Sequence, residues 1–278
     1  MIVPSPAIAL DNVNKSFSGA ATNGGVVALQ NVSLTVNDGT FLALLGPSGC
    51  GKTTVLRLAD GLIQPDAGTV NIFGATPKPG PDIGLVFQSF RLIPWATVKQ
   101  NIMFALHGLD ITKTEKVDRT RKYIEMVGLN RFADSYPASL SGGMKQRVAL
   151  ARALAPEPSV LLMDEPFASI DAQTRELMQV ELMRIWTLRQ PAVMFVTHSV
   201  DEAILLADKI VLMGPSPGSV METVSVDLER PRWTYDARAE PRFVELRKYL
   251  ANRMRELVFS DPASEFYGRD LVSPNELD

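Results

Sequence analysis

The sequence predicts an α/β protein with a largely parallel central sheet, and three observations support this prediction. Short, continuous apolar runs recur along the chain, as expected for strands buried on both faces of a sheet. Helical patterns separate several of these runs, which is the alternation that parallel β-α-β units require. The stretch from Ser89 to Glu157 is rich in helix formers and charges and lacks a strand pattern, so it predicts a helical insertion.

The elements follow in order along the chain. Val26–Val36 alternates between apolar and polar residues and ends at an Asn-Asp-Gly turn, which predicts a strand. Phe41–Leu45 predicts a buried strand, and Thr53–Leu62 predicts a helix. The other apolar runs predicted as strands are Ile83–Phe87, Val160–Met163, Val193–Thr197 and Lys209–Met213.

A separate tail follows Leu228. Pro241 suits the first turn of a helix, and apolar residues then recur on one helical face. These residues are Phe243, Leu246, Leu250, Met254 and Leu257. We expect an amphipathic helix that docks on the domain rather than a binding element.

Composition limits the classes of function. The chain has 278 residues, of which 46% are hydrophobic, and a net charge of −3, so nucleic acid is not the expected main partner. A single cysteine suggests a reducing compartment, and two histidines offer no transition-metal cluster. The N-terminal sequence MIVPSPAIALDNV lacks a signal-peptide pattern, and no apolar run approaches the roughly 20 residues that cross a bilayer. We therefore expect a soluble cytoplasmic chain that meets a membrane only through a partner.

A glycine-rich loop between a predicted strand and a predicted helix is the first candidate site. It has the spacing Gly-x-x-x-x-Gly-Lys-Thr, and it needs glycines because backbone amides must approach phosphate oxygens closely. We expect Lys52 to contact the β- and γ-phosphates and Thr53 to ligate Mg²⁺. The Cys50 thiol is either activated by nearby positive charge or simply a small residue at a variable position. The candidate nucleotide contacts are Gly46, Pro47, Ser48, Gly49, Cys50, Gly51, Lys52, Thr53 and Thr54.

Polar residues at three strand ends complete the candidate site. Asp164 and Glu165 follow Val160–Met163, at the edge where open α/β sheets bind ligands. We expect Asp164 to hold Mg²⁺ and Glu165 to orient or deprotonate the attacking water. Gln88 and His198 follow two other strands and can sense or hydrogen-bond a γ-phosphate. Taken singly, Gln88 also fits a surface loop and His198 also fits a buried, satisfied histidine.

The segment Leu140–Gln146 reads Leu-Ser-Gly-Gly-Met-Lys-Gln and gives the set its specificity. With this segment included, the chain resembles the ATP-binding cassette proteins over roughly residues 8–225, because all the motifs occur in the family's order. The resemblance implies a phosphate-loop nucleotide-binding domain with an N-terminal antiparallel β subdomain and a helical insertion. The implied ATPase domain is 1–228, with its core at about 1–88 and 158–228, its helical signature subdomain at about 89–157 and a partly helical extension at 229–278.

The resemblance also implies roles for individual residues. Phe17 matches the aromatic position that stacks on adenine, where the family more often has tyrosine; the other interpretation is a core residue of the N-terminal sheet. Gln88 matches the start of a flexible loop that contacts both Mg²⁺ and the membrane partner. Asp171 matches a segment that crosses a dimer interface. Met144 stands where glutamine is common and has no assigned role. Residues matching those that hold the γ-phosphate bound by another copy are Ser141, Gly142 and Gly143.

Within the family, the chain resembles the ATPase subunits of bacterial importers for nitrate, sulfonate and taurine, through residues 167–176, 197–203 and 241–247. This resemblance implies a homodimer or paired cassette closed by ATP, integral membrane permease subunits, and indirectly a periplasmic or surface solute-binding protein. It places the chain on the cytoplasmic face of the inner membrane. The segment Ser89–Ile102 would receive a permease helix, with Leu92, Ile93 and Trp95 either in that groove or buried in the insertion.

Four alternatives remain open at this point. The first alternative is the ATPase of an exporter, and the second is a soluble cassette ATPase that acts on DNA or ribosomes. The third is an ordinary phosphate-loop kinase, and the fourth is a cassette that uses ATP only as a structural switch. The single cassette and acidic balance argue against the second alternative. The Leu-Ser-Gly-Gly sequence and His198 argue against the kinase, and Glu165 with His198 argues against the switch.

Overall fold

The computed structural model describes residues 5–18 and 25–268, in which nine strands and seven α-helices are numbered in chain order. The strands are β1 (Ile8–Phe17), β2 (Val26–Val36), β3 (Phe41–Leu45), β4 (Ala67–Ile72), β5 (Ile83–Val86), β6 (Val160–Asp164), β7 (Ala192–Thr197), β8 (Lys209–Met213) and β9 (Val220–Ser225). The helices are α1 (Lys52–Ala59), α2 (Val98–Ala105), α3 (Lys113–Met126), α4 (Gly142–Leu154), α5 (Ala172–Arg189), α6 (Val200–Leu206) and α7 (Pro241–Ser260).

The continuous apolar runs form the centre of a six-stranded sheet. Its strand order is β5-β6-β7-β3-β8-β9, in which neighbouring strands are parallel except for the antiparallel pair β8-β9. A second sheet has the order β2-β1-β4 and is antiparallel throughout. The predicted α/β class, the parallel centre and the N-terminal antiparallel β subdomain are therefore confirmed.

Strand β3 shows why a buried strand has no polar residue. Because successive side chains point to opposite faces of the sheet, Phe41, Ala43 and Leu45 pack into one apolar cluster with helices α2 to α7. Leu42 and Leu44 pack into a second cluster, which includes α1 and the antiparallel sheet. Both faces of the strand are covered, so its carboxyl end is the part that can expose functional groups.

Helix α1 differs from its predicted bounds. It begins at Lys52 and ends at Ala59, whereas the pattern predicted Thr53–Leu62. The chain leaves the helix at Gly61, which has φ +74°. This left-handed glycine follows the cap residue Asp60 and ends the helix three residues early. A side chain at Gly61 would lie 2.5 Å from the carbonyl oxygen of Pro77, so the position requires glycine.

The predicted helical insertion lies between β5 and β6, and in residues 89–157, all of them described, it contains no strand. Capping boxes start two of its helices, at Thr97 for α2 and Thr112 for α3. Glu157 ends the insertion with a carboxylate that is 7% exposed. Cationic groups of Arg119, Lys122 and Arg189 lie 3.3, 3.3 and 2.5 Å from that carboxylate, which joins α3 to the end of α5.

The predicted tail helix is present as α7. Phe243, Leu246, Leu250 and Leu257 are buried against the core, and Met254 is partly buried there, which confirms the predicted apolar face. Residues 1–4 and 269–278 lie outside the described residues, as does part of the N-terminal sequence examined for a signal peptide. The domain boundaries at 88, 157 and 228 stay predictions.

Within residues 5–18 and 25–268, no helix is both long and apolar enough to span a bilayer. The described residues also contain no group of three or more histidine, cysteine, aspartate or glutamate side chains placed to bind a metal ion.

Candidate nucleotide-binding site

The phosphate loop, residues 46–54, joins the buried strand β3 to helix α1. Gly49 and Gly51 have φ values of +81° and +90°, which other residue types rarely adopt. A side chain at Gly51 would also lie 2.5 Å from Leu29 Cδ2 and 2.8 Å from the Ala28 carbonyl oxygen. The loop therefore has both the tight turn and the close packing that its sequence predicted.

Lys52 places a buried positive charge at this loop. Its Nζ donates hydrogen bonds of 2.8 Å to the carbonyl oxygens of Gly46 and Pro47. Among the described residues no carboxylate forms an ion pair with Lys52, and the Asp164 carboxylate interacts with its charge without direct contact. A buried cation held by carbonyls fits an anionic ligand, which would supply the missing negative charge.

Thr53 and Asp164 form a hydroxyl–carboxylate pair beside the loop. The Thr53 hydroxyl donates a 2.8 Å hydrogen bond to Asp164 Oδ2, which lies on the last residue of β6. Burial raises the pKa of Asp164 above its ordinary value, while the bond from Thr53 opposes that rise. Both oxygens are ligands that Mg²⁺ accepts, and a cation would stabilise the charged carboxylate in this buried position.

Glu165 and His198 meet at the same edge of the sheet. His198 Nδ1 lies 3.2 Å from Glu165 Oε2, although the two residues follow different strands, β6 and β7. Glu165 has φ +47° and donates its backbone N–H to the Val196 carbonyl at 3.0 Å. A left-handed conformation at a non-glycine residue is unfavourable, and here it aims the carboxylate at the histidine.

The environment of His198 depends on a polar residue that the sequence analysis did not single out. Glu202 is buried and accepts hydrogen bonds from the Thr197 hydroxyl at 2.7 Å and from Gln179 Nε2 at 3.3 Å. Ser199 caps helix α6 by accepting the Glu202 N–H. The Ser-x-x-Glu spacing is the signal that predicts this cap, but the carboxylate turns to Thr197, next to His198.

Two further predicted contacts, Gln88 and Phe17, are exposed. Gln88 is exposed and follows β5 by two residues, because the strand ends at Val86, and its side chain does not hydrogen-bond Thr53 or Asp164. Phe17 ends β1 and is 39% exposed, so it is not a core residue of the N-terminal sheet. Lys15 Nζ lies 5.6 Å from the centre of the Phe17 ring. The role of each residue stays a prediction.

The Cys50 thiol has the environment of an inert side chain. It is buried, and burial raises the pKa of the thiol although Lys52 acts in the opposite direction. A thiol with a raised pKa is less often the reactive thiolate. The structure thus favours the second interpretation of Cys50, a small residue that fills the turn.

The signature segment, residues 140–146, begins helix α4. Ser141 caps the helix by accepting the Met144 N–H at 3.2 Å, and both Ser141 and Gly142 are exposed. A side chain at Gly143 would lie 3.3 Å from the Ser169 carbonyl oxygen, so the segment packs against residues 168–171. The Met144 side chain packs on the larger apolar cluster, which gives this position a structural role that its sequence did not indicate.

Asp171 caps helix α5 in the adjoining segment. Its carboxylate accepts the Thr174 N–H at 3.0 Å, and this backbone bond, with a second from the Thr174 hydroxyl, lowers the pKa of Asp171. Asp171 therefore fixes the start of α5 next to the residues that pack against the signature segment.

A cleft of about 560 Å³ opens above the phosphate loop. Gly46 to Gly49 and His198 line one side, and residues between Met254 and Phe266 line another. Among the described residues, Ser141, Gly142 and Gly143 do not line this cleft. One chain thus contains two separate candidate phosphate-binding elements.

The fold and this geometry define the class of protein. A phosphate loop follows a buried parallel strand, a hydroxyl–carboxylate pair stands beside it, and a glutamate–histidine pair lies at the next strand ends. This arrangement is that of the phosphate-loop nucleoside triphosphatases.

Comparison with known proteins identifies the family. The sequence matches the ABC transporter family over residues 29–168. It is 48% identical over 251 residues to an uncharacterized ABC transporter ATP-binding protein of Methanocaldococcus jannaschii, covering 90% of this chain and 91% of that protein. The chain belongs to the ABC transporter family and is one of its ATPases.

The names of two other relatives state a transported solute. A nitrate import ATP-binding protein of Synechocystis is 40% identical over 252 residues, with 88% of this chain and 94% of that protein covered. A bicarbonate transport ATP-binding protein of the same organism is 40% identical over 246 residues, with 87% and 86% covered.

Among solved structures, the dimeric, post-hydrolysis ATP-binding cassette MJ0796 bound to ADP and Pi matches with a TM-score of 0.72 and 32% sequence identity. The match covers 80% of this chain and 100% of that cassette. It confirms the predicted cassette fold.

Proposed function

We propose that this chain hydrolyses ATP, with Mg²⁺, to energise a bacterial importer of a small solute. The observation that carries the proposal is the convergence of two residue pairs on one sheet edge. Thr53, at the start of α1, pairs with Asp164 at the end of β6, and Glu165 and His198 follow β6 and β7 beside the phosphate loop. The residues present fit a nucleoside triphosphate and a divalent cation.

The nucleotide would be held mainly by charge and by backbone amides. The glycines of the phosphate loop allow its amides to face phosphate oxygens, and Lys52 adds a positive charge. Thr53, Asp164 and Gln88 would hold Mg²⁺, which when bound neutralises charge on the phosphates. Phe17 offers an exposed ring for stacking on the base.

Hydrolysis needs a water molecule that is oriented and deprotonated. Glu165 would orient that water and accept its proton. His198, whose Nδ1 lies 3.2 Å from Glu165 Oε2, would present its other ring nitrogen to the γ-phosphate. Positioning and charge stabilisation account for most of the acceleration in phosphoryl transfer, so these residues suffice without a covalent intermediate.

The second phosphate-binding element points to a dimer. Ser141 and Gly142 are exposed at a helix N-terminus, where unpaired amides favour an anion, yet they do not line the cleft of their own chain. In the proposed arrangement two copies bind head to tail, and Ser141 to Gly143 of each copy hold the γ-phosphate bound by the other. The dimeric cassette among the matching structures supports this arrangement.

A permease would bind at the junction of the sheet and the helical insertion. A groove of about 360 Å³ lies there, lined by residues that include Leu85, Phe87, Phe104 and Arg152. Trp95, which follows the lining residue Phe87 by eight positions, is 80% exposed, whereas Leu92 packs against the core. Trp95 therefore fits a contact with a permease helix, and Leu92 fits the alternative of burial.

The solute and the location come from the relatives. Their names indicate nitrate import and bicarbonate transport at the same identity, so we propose a small solute of the nitrate, sulfonate, taurine or related class. A periplasmic or surface solute-binding protein would deliver it to the permease. The chain would lie on the cytoplasmic face of the inner membrane.

Co-purification from membranes tests the proposal. We expect a tagged chain to bring down a permease, and ATP hydrolysis by the complex to rise when the loaded solute-binding protein is added. Ribosomes or DNA in place of a permease would contradict the importer. A complex whose ATPase responds only to solute on the cytoplasmic side would indicate an exporter.

A further inference from the structure

The far wall of the nucleotide cleft comes from the C-terminal part of the same chain. Met254 and Val258, in the last two turns of α7, line the cleft together with the phosphate loop and His198. Asp261 and residues 263–266 continue this wall beyond the helix. We call residues 254–266 the tail segment.

Ion pairs fix the helix that carries the tail segment. Arg247 lies 2.6 Å from Asp201, three residues after His198 in the chain. Glu222 on β9 accepts a 2.6 Å hydrogen bond from the Tyr249 hydroxyl and a 3.0 Å bond from Arg253. With the buried Leu250, these contacts hold α7 beside the site rather than free of it.

The chain beyond α7 turns back on itself. The Ala263 N–H donates to Asp261 Oδ1 at 2.9 Å, and the Ser264 N–H donates to the Asp261 carbonyl at 2.9 Å. The Gly268 N–H then donates to the Phe259 carbonyl at 3.0 Å. These bonds form a compact turn that keeps residues 261–266 at the cleft.

The tail segment carries negative charges, which repel the negative phosphates of a nucleotide. Asp261 and Glu265 are both acidic and line the cleft across from the phosphate loop, which is built for phosphate oxygens. Negative charges that line the same cleft as bound phosphates raise the free energy of the bound state. The tail segment therefore disfavours the ligand that the loop favours.

We propose that the tail segment covers the phosphate loop of its own chain and opposes both nucleotide binding and the docking of a second copy. The inference rests on the proposed function, because a second copy would present Ser141 to Gly143 to this same cleft. Displacement of the tail segment then precedes closure of the dimer. Because the tail segment and the phosphate loop belong to one chain, the effect of the tail segment on nucleotide affinity does not depend on protein concentration.

Neutral variants test the inference without removing any part of the chain. In the Glu165→Gln background, which prevents turnover, Asp261→Asn with Glu265→Gln removes both charges, and asparagine can still accept the Ala263 N–H. The matched control is Glu125→Gln, an exposed glutamate on α3. Calorimetric titration with Mg-ADP measures binding without requiring a dimer, and thermal unfolding confirms that all variants fold.

We expect the double variant to bind Mg-ADP about three- to tenfold more tightly at low salt, with a smaller difference in 0.5 M KCl, because screening weakens repulsion. The control should not change. Equal affinities in the double variant and its parent, or a difference that is independent of salt, would overturn the inference.

Sedimentation with Mg-ATP separates this inference from the proposed function. Tighter binding together with more dimer supports both. Tighter binding without any ATP-driven dimer supports the tail segment and contradicts the head-to-tail arrangement. Unchanged binding with ATP-driven dimers contradicts the tail segment and supports the arrangement.

Discussion

Single residues of the site combine an unfavourable local conformation with a defined chemical position. Glu165 has a left-handed backbone that its hydrogen bond to Val196 maintains, and its carboxylate reaches His198. Strain of this kind persists only where surrounding structure fixes it, and it is concentrated at functional sites. The conformation supports Glu165, rather than the buried Asp164, as the base.

The role of Glu165 can be tested by its amide. Glu165→Gln should lower kcat for ATP hydrolysis by about 100-fold or more, because a positioned general base contributes that much, while ATP binding persists. Steady-state phosphate release and nucleotide titration measure the two quantities. Glu125→Gln on α3 provides a matched surface change, and normal hydrolysis by Glu165→Gln would assign the base elsewhere.

We expect Asp60, at the end of α1, to make the free energy of unfolding depend on pH. Burial raises its pKa from 3.8 to about 6, so above pH 6 the folded chain carries a carboxylate that costs stability. As pH falls toward 4, the folded state takes up the proton first and the cost disappears. Asp60→Asn should therefore raise the free energy of unfolding by about 1–2 kcal/mol at pH 7.5 and by almost nothing near pH 4.

Urea unfolding at the two pH values measures this difference. Asp118→Asn, an exposed change on α3, should have a small effect that does not vary with pH in the same way. An effect of Asp60→Asn that is larger at pH 4 than at pH 7.5 would contradict the burial of a charged carboxylate.

At the scale of elements, α7 links the tail segment to the rest of the domain. Its apolar face packs on the core while its polar residues pair with α6 and β9. The same helix therefore contributes to stability through one face and brings the tail segment to the cleft through its last turns.

Two substitutions on α7 separate packing from helix propensity. Leu250→Ala should lower the free energy of unfolding by about 2–5 kcal/mol, because Leu250 is fully buried and the lost side chain leaves a cavity. Val244→Ala, at a position that is 54% exposed, should change it by less than about 0.5 kcal/mol. Chemical denaturation compares them; equal effects would mean that α7 is not docked as described.

Elements with a strong local pattern could be predicted, and those defined by distant contacts could not. The β3 strand and α7 follow from apolar runs and periodicity. The antiparallel edge strand β9 alternates in burial and pairs only with β8, so no continuous apolar run marks it. Helix α1 ends early at the left-handed Gly61, a local signal of a helix C-terminus that the apolar periodicity alone does not show.

The candidate site divides in the same way. Spacing alone indicated the phosphate loop, Asp164, Glu165 and His198, because each follows a recognisable strand. Glu202 could not be assigned, because its partners Thr197 and Gln179 come from different elements. The tail segment meets the loop through tertiary structure alone, about 200 residues along the chain.

At the scale of the whole molecule, the two phosphate-binding elements make the proposed site depend on two chains. Hydrolysis at one site would need an intact phosphate loop on one copy and an intact signature segment on the other. A chain defective in one element can then complement a chain defective in the other.

Mixing two inactive variants tests this dependence. Ser141→Arg should bind ATP but not hydrolyse it, and Lys52→Ala should not bind ATP tightly. In an equimolar mixture about half of the dimers are hybrids with one intact site of two, so about a quarter of normal activity should return. Each variant mixed with itself is the control, and a mixture that stays inactive would contradict a shared site.

The ion pairs around Glu157 connect the helical insertion to helix α5. Arg119 and Lys122 lie on α3 of the insertion, and Arg189 is the last residue of α5. Helix α5 then runs as a rod of about 27 Å to its cap at Asp171, beside the signature segment. Helix α5 therefore joins the Glu157 ion pairs at its C-terminal end to residues 168–171 at its N-terminal end, which pack against the signature segment.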